Sequence, residues 1–213
     1  MNARISRLLG CLALVLASAT ASADVIVSDT TYRDFDGSEG EVVFDVTSHG
    51  LIGDLNVAVE FSKCDNPFID PDGGPCVGDD SPWENEMVIK LIAPDGHTIT
   101  LVGVGTFEQG STPGIGRITV TFDDEGLPRG NRVQAGSFRP VDALSVFDNT
   151  EMFGKWKLYF ADTKSSDPFE VFSSSLIFGP PDASPPTGVP EPGSLAVFGA
   201  GLLGLSALRR RRA

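Results

Sequence analysis

The feature that most restricts this chain is a period of two. In the run from Leu55 to Phe61, the apolar residues Leu55, Val57, Val59 and Phe61 share one face, while Asn56, Ala58 and Glu60 share the other. Met87, Ile89 and Leu91 repeat the pattern, and so do Ile118, Val120 and Phe122, and Trp156, Leu158 and Phe160. Leu176 and Phe178 close the series, and residues 41–46 and 98–104 add two more runs. Side chains of a strand alternate between its two faces, so this pattern of β-branched and aromatic residues describes half-buried strands. Asp36-Gly37, Pro94-Asp95-Gly96, Pro113-Gly114 and Asp148-Asn149 supply turns between them. Between the chain ends no segment carries a helical period. The expectation is an all-β chain in which residues 24–178 form one two-sheet β-sandwich.

The two ends follow different rules. Arg4 and Arg7, the apolar run Leu8 to Ala19, and Ala21-Ser22-Ala23 have the order of a secretory signal peptide, residues 1–23, cut after Ala23. After Phe178 the alternation stops. Residues 179–189 are rich in proline and read as an extended linker. Residues 190–213 then combine Pro190-Glu191-Pro192, a short apolar segment 194–208, and the cluster Arg209, Arg210, Arg211 and Arg212. Fifteen helical residues rise about 22 Å against a hydrocarbon core of about 30 Å, so a transmembrane helix over 194–208 is short. The arginines would stay on the cytoplasmic side. This tail resembles the PEP-CTERM sorting signal. That resemblance implies handling by an exosortase-type processing enzyme, transient or permanent anchoring in the inner membrane, and then a place at the cell surface or outside the cell.

Charge agrees with export. The chain has a formal net charge of −13, and its basic residues are unevenly placed. Arg4, Arg7 and Arg209 to Arg212 lie in the two ends, whereas the acidic residues concentrate between them. Such a surface repels nucleic acid and favours cations and basic partners. If Cys11 leaves with the signal peptide, Cys64 and Cys76 remain as a pair in an oxidising compartment. A disulfide closing this loop would stabilise by roughly 3 kcal/mol in the chain-entropy model. Metal binding is the other use of paired cysteines, but no further Cys or His lies near them in sequence.

Three stretches are more distinctive than generic strands. Residues 86–101 form a strand, a Pro-Asp-Gly turn and a return strand. Residues 120–126, VTFDDEG, end a strand in three acids. Residues 136–162 run from Phe138-Arg139-Pro140 through Phe147 and Gly154-Lys155-Trp156 to Asp162. In this order they resemble the P (Homo B) domain of proprotein convertases, over about residues 40–178. The resemblance implies a jelly-roll β-sandwich. It also implies an association with subtilisin-like serine endopeptidases, which P domains normally follow and help to fold. The chain departs from that family at residues 62–86, where an insertion holds the cysteine pair, and at residues 165–172, where the closing motif is blurred. No nucleophile turn accompanies His49 and His97, so a Ser-His-Asp triad is not expected and neither is enzymatic activity.

Oxygen ligands are plentiful. Calcium takes six to eight hard oxygens, often from loop carboxylates, and it is the one cofactor the sequence suggests. The candidates are Asp65, Asp70, Asp72, Asp79 and Asp80 in the insertion, and Asp123 and Asp124 after the β-run. For Asp123 and Asp124 the alternative is structural: capping backbone N–H groups or pairing Arg139. Trp83 and Phe68 offer an aromatic surface to sugar rings, or pack the insertion down. The leading expectation is a non-catalytic exported surface or matrix module that acts by binding or structure. The alternatives are an accessory domain for a separate subtilisin-like protease and a carbohydrate-binding jelly roll that holds exopolysaccharide.

Overall fold

The computed structural model describes residues 23–67 and 70–181. The expected signal peptide up to Ser22, Phe68, and everything from Asp182 onward, including the expected helix 194–208, lie outside the described residues. Every β-run read from the sequence is a strand. In chain order the strands are β1 (Val25–Asp29), β2 (Arg33–Phe35), β3 (Glu39–Val46), β4 (Asp54–Cys64), β5 (Asn66–Pro67) and β6 (Cys76–Val77). They continue with β7 (Met87–Ile92), β8 (Thr98–Val102), β9 (Gly114–Leu127), β10 (Gly136–Phe138), β11 (Gly154–Asp162) and β12 (Phe169–Gly179). Among the described residues the helical elements are two 3-10 turns, Glu84–Glu86 and Leu144–Phe147.

The strands form two principal sheets. One has the order β1-β12-β4-β9-β10, with β2 continuing the β1 edge against the start of β12. The other has the order β3-β11-β7-β8. The chain therefore crosses from one sheet to the other between β2 and β3, between β3 and β4, through the insertion between β4 and β7, between β8 and β9, between β10 and β11, and between β11 and β12. All pairings in these two sheets are antiparallel except that of β10 with β9.

The alternation is what places the core. Leu55, Val57, Val59 and Phe61 of β4 are buried, and so are Trp156, Leu158 and Phe160 of β11. Aromatic rings join the sheets at both ends of this core. Phe61 meets Phe169 edge-on at 5.3 Å, and Phe169 meets Phe160 of the other sheet at 6.0 Å. At the far end Trp156 packs between Phe147 at 5.1 Å and Phe178 at 5.5 Å, and its indole N–H donates to the Met152 carbonyl at 2.8 Å. Edge-to-face pairs of this kind add about 0.5–1.5 kcal/mol beyond area burial.

Two turns use the left-handed region where the sequence signals it. Gly96 has φ 89 in the Pro-Asp-Gly turn between β7 and β8, and Asn149 has φ 60 after the Leu144–Phe147 turn. The strand holding Asp123 and Asp124 runs further than the sequence suggested. Rather than ending β9, these acids lie within it, because β10 extends its pairing to Leu127.

Candidate functional site

The insertion between β4 and β7 is built onto the end of the sandwich by three fastenings. Cys64 and Cys76 form a disulfide, with Cα atoms 5.1 Å apart. The short ladder of β5 with β6 lies beside it. Arg117 of β9 supplies the third. Its Nε and Nη2 donate to the two carboxylate oxygens of Glu60 at 2.7 and 2.9 Å, and its Nη1 donates to the Asp72 carbonyl at 3.3 Å. The same guanidinium sits 4.3 Å from the centre of the Phe172 ring.

Beneath the insertion, both faces of β4 are buried for a physical reason. Lys63, two residues after Phe61, keeps the core face, while Ser62 and Cys64 on the opposite face are buried too, Ser62 against Glu170 and Cys64 in the disulfide. Lys63 is 0% exposed, and its Nζ donates to Asp162 Oδ2 at 2.5 Å and to the Asp167 carbonyl. Glu170, also 0% exposed, accepts from Ser62 Oγ and from the Tyr32 hydroxyl, each at 2.7 Å. Buried charge is tolerated here because it is paired and hydrogen-bonded.

An open cleft of about 560 Å³ lies over this floor. Asp65, Asp80, Trp83, Glu86, Ser166 and Asp167 line it. Asp65 Oδ2 accepts the Asp80 N–H at 2.8 Å. Gly78, at φ 109, leaves room for that carboxylate; a Cβ there would lie 2.0 Å from Asp65 Oδ2. Burial pushes the Asp167 carboxyl up to about 6, and the Asp65 and Glu86 charges add to the rise against the pull of Lys63. Burial also raises Glu86. Trp83 and Ser166 hold positive φ values of 51 and 106.

A second acidic crevice, of about 480 Å³, lies at the start of β4. Asp54 and Asn56 from β4, Asp123, Asp124 and Glu125 from β9, and Asp148 beyond the Leu144–Phe147 turn surround it. Asp124 caps that turn: its two oxygens accept the N–H groups of Leu144 at 3.0 Å and Ser145 at 2.8 Å. Asp123 accepts from Ser137 Oγ at 2.9 Å and from the Glu125 N–H at 2.7 Å. Burial resists ionisation of Asp123, but these hydrogen bonds hold its carboxyl below the usual value. Asp54 is raised by burial and then by the Asp123 charge; Asp148 is raised by burial and then by Asp54 and Asp124.

The structure separates the sequence candidates into distinct groups. Asp70 and Asp72 form their own turn, with the Asp72 N–H on Asp70 Oδ1 at 2.8 Å, and stand with Arg117 and Glu170. Asp80 belongs with Asp65, while Asp79 is exposed. Among the described residues no group of three or more His, Cys, Asp or Glu is arranged to hold a metal ion. The calcium candidates Asp70, Asp72, Asp79, Asp80, Asp123 and Asp124 therefore do not form one preformed ligand set. Asp123 and Asp124 take the capping role, and Arg139 lines an apolar crevice with Phe61, Val120 and Phe138 without an ion pair to them. Sequence reasoning missed Asp54, Asp148, Glu86 and Asp167. Asp54 opens β4, whereas Glu86 ends a 3-10 turn and Asp148 and Asp167 lie in loops, so no local pattern marks them as site residues.

Comparison with known proteins identifies the tail. Residues 188–212 match the PEP-CTERM protein-sorting motif. That motif marks the chain for membrane-anchored export, exosortase processing and sorting to the cell surface. No curated protein matches the chain. Among solved structures, FLHE is similar at 8% identity and a TM-score of 0.36, over 74% of this chain and 96% of FLHE. The serine protease of Aeromonas sobria is similar at 12% identity and a TM-score of 0.36, and its complex with the chaperone ORF2 at 12% and 0.35. Each of these two matches covers 72% of this chain, which spans 27% of the matched chain.

Proposed function

We propose that this protein is a non-catalytic module, displayed outside the cell by its sorting tail, that works by binding through the insertion end of a jelly-roll sandwich. The sorting motif at residues 188–212 carries the reading. The strand orders β1-β12-β4-β9 and β3-β11-β7-β8 support the jelly-roll assignment, because they put the first strand beside the last and nest the remaining strands between them, as two Greek keys do. A P-domain-like module fits the same layout. The hairpin of residues 86–101 is β7–β8, the TFDD segment lies in β9, and Gly154-Lys155-Trp156 opens β11 between β3 and β7. The binding role draws on the insertion, which departs from the P-domain pattern and carries a wide, open, acidic cleft.

The test is the intact mass and location of the protein taken from its native host. The expected form begins at Asp24, ends near Pro190-Glu191-Pro192, is two hydrogens light for the disulfide, and is found outside the inner membrane. A chain that stays in the cytoplasm with its first 23 residues would overturn the reading. Co-purification of a subtilisin-like protease would replace the free-standing module with the accessory one.

A further inference from the structure

We infer that Lys63 and Asp162 condense to an internal amide, a covalent cross-link from Nζ to Cγ that ties the two sheets of the sandwich together. The Lys63 ammonium stands 2.5 Å from Asp162 Oδ2, and neither side chain has any exposed surface. The partners come from opposite sheets, Lys63 from β4 and Asp162 from β11. Other close pairs on the molecule differ in one respect. Lys157 and Glu41 lie 2.8 Å apart, but they are 41% and 39% exposed, so water keeps both ionised. Only a pair withdrawn from water can exchange its charges for a bond.

The two groups are held on paired strands beside an aromatic cluster. Phe169 is the register partner of Lys63 in the ladder of β4 with β12, and Met87 is that of Asp162 in the ladder of β7 with β11. Phe61 and Phe160 precede Lys63 and Asp162 by two residues, and both pack on Phe169, at 5.3 and 6.0 Å. Asp162 uses its two oxygens differently. Oδ2 faces Nζ, while Oδ1 accepts the Lys164 N–H at 3.2 Å. The Asp167 backbone carbonyl accepts from Nζ as well and fixes its direction. Holding two reactants in this way is equivalent to effective concentrations of about 10⁵–10⁸ M.

Burial supplies the protonation state that the step requires. It raises the Asp162 carboxyl against the pull of Lys63. A proton passed from Nζ to Oδ2 along their hydrogen bond turns two buried ions into an amine and a carboxylic acid, the uncharged forms that a dry site favours. The amine lone pair then attacks Cγ. Negative charge gathers on Oδ1, where the Lys164 N–H already points. The Nζ–Cγ bond forms and the Cγ–Oδ2 bond breaks. Oδ2 leaves as water, carrying the proton it received and a second one from Nζ. Nothing is oxidised or reduced, and no other reactant enters. The ion pair is the form before reaction, and the electrostatic effects of its charges belong to that form. The product gives the sandwich a second covalent closure beside the disulfide, one that a reductant does not open.

The inference does not rest on the sorting tail, because both residues lie inside the sandwich. The test is mass spectrometry of the protein purified from its native host, first intact and then reduced and digested with trypsin. The intact protein is expected to be one water lighter than its sequence and disulfide require. Amidation blocks the cut after Lys63, so residues 34–90 are expected to stay joined to residues 158–164 as one branched peptide. Separate peptides 34–63, 64–90 and 158–164, all at full mass, would overturn the inference. Loss of a water within 158–164 alone would overturn it in favour of a cyclic imide at Asp162. Lys63→Met, and Lys63→Met with Asp162→Leu, are expected at full mass; a water still missing from either would place the loss elsewhere and sink the inference. Should neither variant fold, the wild-type peptides decide by themselves. These peptides are interior to the chain, so a failure of sorting shows at the ends of the protein and a failure of cross-linking shows here.

Discussion

Lys63 Nζ lies 2.5 Å from Asp162 Oδ2, and both side chains are 0% exposed. The pair joins the two sheets, since Lys63 is the second-last residue of β4 and Asp162 is the last of β11. Removing one partner of a buried ion pair strands the other charge and costs roughly 3–5 kcal/mol, whereas replacing both by apolar groups is often close to neutral. Lys63→Met is therefore expected to lower stability by about 3–5 kcal/mol. Lys63→Met with Asp162→Leu is expected to recover most of that loss, short of the bond to the Asp167 carbonyl. Urea unfolding of the three proteins measures both; a double variant no better than the single would show that the pair is not a closed unit.

The Asp167 carboxyl gives the fold a pH slope of known sign. Its folded value is about 6, above its ordinary value of 3.8, so the folded protein holds that proton more tightly than the unfolded chain does. This contribution to stability is fully present below the ordinary value and is lost as pH rises through about 6. Asp54, Glu84, Glu86, Asp148 and Asp162 are raised as well and act in the same direction. The urea midpoint is expected to fall from pH 5 to pH 7.5, and Asp167→Asn is expected to flatten the slope. An unchanged slope in that variant would assign the effect to the other carboxyls.

Asp124 combines a helpful hydrogen bond with an unhelpful charge. It caps two N–H groups of the Leu144–Phe147 turn, and its charge raises Asp54 and Asp148 across the crevice. Asp124→Ala loses the cap, worth about 1–2 kcal/mol. Asp124→Asn keeps an acceptor and removes the repulsion, so it is expected to match or exceed wild type at pH 7. Melting temperatures of the two variants separate the terms. Equal destabilisation by Ala and Asn would mean that both oxygens, and the charge, are needed.

Most of the sandwich was legible because its strands are amphipathic. Leu55 to Phe61 and Trp156 to Phe160 declare both their faces in sequence. β1 and β2 were not legible: Val25-Ile26-Val27 does not alternate, Ile26 is exposed, and β2 has only three residues. Lys63 follows an alternating strand and reads as a solvated lysine. Alternation puts it on the core face, two residues after Phe61, and what the sequence does not announce is the buried Asp162 carboxylate that receives it there. The clefts were half legible. Asp123-Asp124 and the acids of the insertion draw attention because they cluster along the chain. Asp54 and Asp148 meet them through contacts far apart in sequence, and Asp167 stands beside Asp65 because Phe169 of β12 pairs with Lys63 of β4. Local pattern encodes which face is buried; convergence of single polar residues is encoded by topology, which one sequence does not spell out.

Arg117 should decide how firmly the insertion is held. Its pair with Glu60 is partly exposed, at 36% and 28%, so the charge alone contributes about 1 kcal/mol or less. The bidentate geometry, the bond to the Asp72 carbonyl and the stacking on Phe172 all need a planar guanidinium, which lysine does not supply. Arg117→Lys is thus expected to behave almost like Arg117→Ala. The loss should be local, because Arg117 holds the outer turn through the Asp72 carbonyl and Phe172, which lies outside the core cluster, while the disulfide still bounds it at Cys64 and Cys76. Amide hydrogen exchange across residues 70–77 is expected to speed up roughly tenfold in both variants, with exchange in β4 and β11 unchanged. Equal acceleration in the core strands would mean that the insertion and the sandwich unfold as one unit, and that Arg117 stabilises the whole fold.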